Sequence, residues 1–156
     1  MLLAVVGGMA AFIQPGLEKG KGVLTAAGKE VFRAIARGVL DKTLPAQPQL
    51  QAAALDQLLG RIDVLISALP EHAQAEVSQL LSILASTPGR RALTGLSTPW
   101  PEASVADLQA ALQDMRLSSL AARQQAYSAL HDITAGAYFS EPTTWSLLGY
   151  PGPLAI

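Results

Sequence analysis

The chain has 156 residues; half are hydrophobic, 15% are charged and none is cysteine. Low charge with abundant Leu argues against disorder, and the missing thiols exclude disulfides, thiolate zinc sites and haem attached through Cys-x-x-Cys-His. The net charge is −1 with no basic stripe of the kind that neutralises phosphates, so nucleic acid is not an expected partner.

The low charge also has a positive implication. Typical soluble domains are about 25% charged. At 15%, this chain has fewer groups to cover its outside, and it is expected to be a subunit that hides apolar surface against another chain; the alternative is an ordinary Ala-rich helical domain, whose Ala inflates the hydrophobic count. Its length fits one domain.

The chain opens with MLLAVVGGMAAFI, residues 1–13, which carry no charge. That run is shorter than the roughly 20 residues a membrane-spanning helix needs. It matches the apolar region of a signal peptide, with the basic part upstream; the alternative is an apolar helix packed on the body. Gln14 to Gly22 (QPGLEKGKG) reads as a polar linker. The division is thus 1–22, an apolar signal-like or anchor segment plus linker, and 23–156, a helical domain.

No alternating β-branched runs appear, and Ala and Leu recur at helical spacing. Thr25 is the expected N-cap of a helix reaching about Leu40, with Val31, Phe32, Ile35, Val39 and Leu40 on one face. Lys29, Arg33 and Arg37 fall on another face. Pro45 to Pro48 is a turn. A second helix is expected from about Leu50 to Leu69, where Leu55, Leu58, Leu59, Ile62, Leu65, Ile66 and Leu69 keep the three–four spacing. Gly60 inside it suggests close helix approach. A third, Glu71 to Ala85, buries Val77, Leu80, Leu81 and Leu84 and is broken by Thr87-Pro88-Gly89.

A short helix is expected over Arg90 to Leu96, with Arg90-Arg91 marking a solvated end. Thr98-Pro99-Trp100-Pro101 reads as a rigid, exposed turn. Ser104 with Asp107 resembles a capping box ahead of a helix carrying Leu108, Leu112 and Met115. The last long helix, about Ser118 to Gly136, presents Leu120, Tyr127, Leu130 and Ile133, and Ser140 caps a brief turn beyond it. The fold class is all-α: a compact bundle of five or six helices with an extended aromatic and Pro-Gly carboxyl-terminal arm.

Few residues promise chemistry. His72 sits in a first helical turn and reads as solvated. His131 stands beside Asp132, but adjacent helical residues do not face each other. Asp56 and Asp63 share a face two turns apart, about 10.5 Å along the axis, too far for one site. No Gly-x-Ser-x-Gly elbow or Gly-x-Gly-x-x-Gly loop occurs. Catalytic, cofactor-binding and metal-ligating residues are therefore expected to be none in this chain.

The dense feature is the carboxyl end. Five of the eight aromatics lie between Tyr127 and Tyr150, and Pro151-Gly152-Pro153 follows. Aromatics close cores and also enrich interfaces, and both uses are open here. One division puts Tyr138 and Trp145 inside and Tyr150 on a partner.

These residues carry a resemblance. Leu24-Thr25-Ala26-Ala27, a helix ending at Leu44-Pro45, the run Gly136-Ala137-Tyr138-Phe139-Ser140-Glu141-Pro142, and Trp145 followed by Leu148-Gly149-Tyr150-Pro151-Gly152-Pro153 resemble the gluconate 2-dehydrogenase subunit 3 family. The closing Leu-Gly-Tyr-Pro-Gly-Pro is the specific part. The resemblance implies a non-catalytic small subunit that stabilises, and helps export to the periplasm, a larger flavoprotein dehydrogenase of the GMC or a similar type oxidising sugars or alcohols. FAD would belong to that partner, and a cytochrome c subunit is a further candidate partner. Family members usually carry a twin-arginine signal; here Arg90-Arg91 is internal and cannot serve as one. The expected partner-binding residues are Tyr138, Phe139, Trp145, Leu148, Tyr150, Pro151 and Pro153. The alternative is a stand-alone helical ligand-binding protein, or a membrane-surface protein inserting residues 1–13.

Overall fold

The computed structural model describes residues 14–149 and 151. The signal-like reading of residues 1–13 lies outside them. Six α-helices follow in order: α1 (Ala26–Val39), α2 (Pro48–Ser67), α3 (Glu71–Ala85), α4 (Thr87–Thr94), α5 (Val105–Arg116) and α6 (Ala121–Phe139). Two 3-10 segments, Trp100–Glu102 and Pro142–Leu148, complete the described part. Its one β feature is an isolated antiparallel bridge between Leu17 and Leu24. The all-α bundle expected from the sequence is what forms.

Local chemistry sets the helix ends. The Thr25 side chain accepts from the Gly28 N–H, and Ser104 accepts from the Asp107 N–H, as both sequence patterns predict. Ser86 does the same for Gly89 and starts α4. Helix α3 ends at Ala85 as expected, and Thr87-Pro88-Gly89 is also the first turn of α4, with Pro88 tolerated because first-turn N–H groups have no intrahelical partner. Ser140 closes α6 by donating to the Ala137 carbonyl at 2.8 Å, instead of capping the segment that follows.

Helix α1 is the centre of the bundle and packs against α2, α3, α5 and α6. It is buried on more than one face: Val31, Phe32, Ala34, Ile35 and Ala36 are all inside. Leu58, Ile62 and Ile66 of α2, Leu81 and Leu84 of α3, Leu108 and Met115 of α5, and Leu130 of α6 close around it. Each such side chain contributes roughly 1.5–3 kcal/mol by leaving water. Helix α6 starts at Ala121 rather than at about Ser118, and Leu120 is its N-cap residue, 61% exposed. Gly60 also differs from expectation: its Cβ position meets nothing within 4 Å, so it mediates no close helix approach.

Residues 14–22 are not a free linker. The segment folds back on α3, where the Gly16 N–H donates to Ser82 Oγ at 3.1 Å and the Leu17 N–H to Ser78 Oγ at 3.2 Å. Leu17 and Leu24 are buried, and the Leu24 N–H donates to Asp63 Oδ1 at 2.8 Å. A Cβ at Gly16 would collide with Leu81, and one at Gly28 with the Gly16 carbonyl, so the crossing of loop and helices requires glycine at both points.

Candidate functional site

The carboxyl-terminal aromatics are partly consumed by the chain's own fold. Tyr138 is buried, and its hydroxyl donates to the Thr43 carbonyl at 3.1 Å, 95 residues away. Phe139 sits edge-on against it, with ring centroids 5.1 Å apart. Trp145 is half-buried, and its Nε1–H donates to the Phe139 carbonyl at 2.8 Å. The buried Thr144 hydroxyl donates to Glu141 at 2.7 Å, tightening the same turn. The expected partner-binding set therefore divides. Tyr138 packs inside, Phe139 and Trp145 are half-buried around it, and Pro151 is exposed beyond Gly149. Leu148 ends the 3-10 segment. Tyr150 and Pro153 lie outside the described residues.

This arrangement joins the two ends of the sequence pattern noted above. Leu44-Pro45 follows the carbonyl that Tyr138 holds, so the end of the first matching stretch and the run around Tyr138 are neighbours in space. Arg61 reinforces the junction by donating from Nε to the Ala137 carbonyl at 3.0 Å. A cation at the last turn of α6 also complements the helix dipole.

A second locus was not legible as a site. Trp100, expected in an exposed turn, is 3% exposed, and its indole N–H donates to the Leu84 carbonyl at 2.9 Å. Arg90, expected at a solvated helix end, is 5% exposed, while Arg91 remains outside. Both residues line an open cavity of about 470 Å³, together with the first turn of α1, the α3–α4 junction and Pro99. The signal that could have flagged Trp100 is composition. A large apolar ring between two prolines, in a chain short of aromatics, is seldom left in water.

The four arginines that reach main-chain carbonyls are not equivalent. Arg37 donates to Ala103 at 3.0 Å, Arg61 to Ala137 at 3.0 Å and Arg123 to Leu93 at 2.7 Å. Arg90 has the longest contact, 3.3 Å to Ser97, and its Nε is buried with no hydrogen-bond partner. The ion pairs among the described residues are Lys21–Glu18, Arg33–Asp56 and His131–Asp132, none of which involves Arg90.

The other candidates are dispersed. His72 is exposed, as expected. His131 does reach Asp132, with Nδ1 3.0 Å from Oδ1, contrary to the rule for adjacent helical residues. Its ring also stacks on Tyr127 at 5.5 Å. Asp56 pairs with Arg33, whereas Asp63 caps the loop at Leu24. Among the described residues, no group of three or more His, Asp or Glu side chains could hold a metal ion. No helix among them is long and apolar enough to cross a membrane. Compared with protein-family models, curated proteins and solved structures, the chain matches none.

Proposed function

We propose that this chain is a non-catalytic small subunit of a periplasmic flavin-dependent dehydrogenase complex oxidising sugars or alcohols. It would stabilise, and help to export, an FAD-containing large subunit of the GMC or a similar type, with a cytochrome c subunit as a further member. The observation that carries this reading is the junction at the carboxyl end. The segment that ends in Leu44-Pro45 and the one that runs from Tyr138 to Pro151, which together resemble the gluconate 2-dehydrogenase subunit 3 family, are tied by the Tyr138–Thr43 hydrogen bond. That junction fixes where the arm leaves the body, with Pro151 outside. The proline content of Pro151-Gly152-Pro153 supports docking, because proline restricts the backbone and leaves less freedom to lose on binding.

The test is co-purification from the source cells with a tagged full-length chain and with a chain lacking residues 145–156. The full chain is expected to retain a protein carrying FAD, identified by flavin fluorescence and by sugar- or alcohol-dependent dye reduction. The truncated chain is expected to lose it. If the full chain retains no flavin, the subunit reading fails; if the truncation retains as much flavin, the docking role of the arm fails.

A further inference from the structure

We propose that the cavity beside Trp100 is a binding site for a small organic monocarboxylate, with Arg90 as its counter-charge. The argument starts from a buried cation without a matching anion. Arg90 is 95% enclosed (5% exposed), makes no ion pair among the described residues, and its side chain has a single hydrogen bond there, from Nη2 to the Ser97 carbonyl. A guanidinium taken out of water is costly unless a carboxylate or full hydrogen bonding compensates it. Arg61 and Arg123 meet short carbonyl contacts at helix ends; Arg90 has one contact at 3.3 Å. The fork of a guanidinium matches a carboxylate in shape and charge.

The rest of the cavity agrees with that choice. Ala26 and Ala27 of α1 and Thr87 of α4 line it, so the first turns of two helices border one space. Neither first turn carries an acidic residue, so beyond the neutral Thr25 and Ser86 caps no carboxylate of either turn competes for the positive end of the helix dipole. Pro99 and Trp100 supply an apolar wall for the ligand's body. A volume of about 470 Å³ falls within the roughly 300–1,000 Å³ of small-molecule sites. Glu30 also lines the cavity and is exposed. Its charge opposes anions in general, and most strongly a dianion, so a monocarboxylate is favoured over phosphate.

The test uses the full-length chain carrying Trp145→Phe, which makes Trp100 the sole indole, and three probes: benzoate, acetate and inorganic phosphate. Benzoate is expected to change Trp100 fluorescence saturably, acetate to bind more weakly, and phosphate to give no saturable change. Arg90→Met is expected to weaken benzoate at least about tenfold, and Glu30→Gln to tighten it by roughly two- to fivefold. Glu30 is exposed, so its variant keeps the test open if Arg90→Met does not fold. Absence of saturable benzoate binding overturns the proposal. So does unchanged affinity in a folded Arg90→Met chain, unchanged affinity in Glu30→Gln, or phosphate binding as tightly as benzoate.

Discussion

Trp100 and Trp145 each donate an indole N–H to a main-chain carbonyl, at 2.9 and 2.8 Å. Trp100 reaches 16 residues back to the end of α3 and is buried, only 3% exposed. Trp145 reaches six residues back to the end of α6 and stays half-buried. Equal bond lengths therefore do not mean equal consequences. Trp100 ties two separate elements together and excludes water from its bond. Trp145 organises a local turn at the surface, where water can replace what is removed. The first indole serves the body of the fold, and the second shapes the base of the arm.

Three substitutions bear on that contrast. Trp100→Ala should lower the unfolding free energy by about 3–5 kcal/mol, measured by urea denaturation, because the ring leaves a cavity in the core. A loss as small as that of an exposed residue would break the contrast at once. Trp100→Phe keeps most of the apolar contact but strands the Leu84 carbonyl in a buried setting, so a cost of about 1–3 kcal/mol is expected. Trp145→Phe removes the matching bond where water is near, and should cost less than about 1 kcal/mol. Comparable costs for the two Phe variants would mean that burial does not separate the two sites.

The helical body was legible because helical burial is periodic. The faces of α2 and α3 follow the three–four spacing of Leu58, Ile62, Ile66, Val77, Leu81 and Leu84. Thr25 and Ser104 were readable because capping depends on a side chain and its own neighbours. Trp100 and Arg90 were not. Proline flanks predict a turn, but turn chemistry does not say which way an indole faces. An Arg-Arg pair predicts solvation, yet which member is buried depends on the loop that closes over it. Residues 14–22 misled for a related reason. Their composition is that of a linker, while their hydrogen bonds are to Ser78 and Ser82, more than 60 residues away. At the carboxyl end, sequence alone located the aromatic cluster. It offered one division, with Tyr138 and Trp145 inside, but could not decide between core and interface, because Tyr138 is held by Thr43, 95 residues away.

The Tyr138–Thr43 bond has a consequence for the order of assembly. A ribosome delivers Thr43 long before Tyr138, since 95 residues separate them. The loop at Gly16 must likewise wait for Ser82, 66 residues later. The central helix is thus made first, and the faces that α5 and α6 cover stay open until those helices are made. Contacts so distant along the chain slow closure and prolong exposure of those faces. A chain made only as far as α3 lacks the α5 and α6 contacts on α1, and the apolar surface so left open is of the kind a holding chaperone binds.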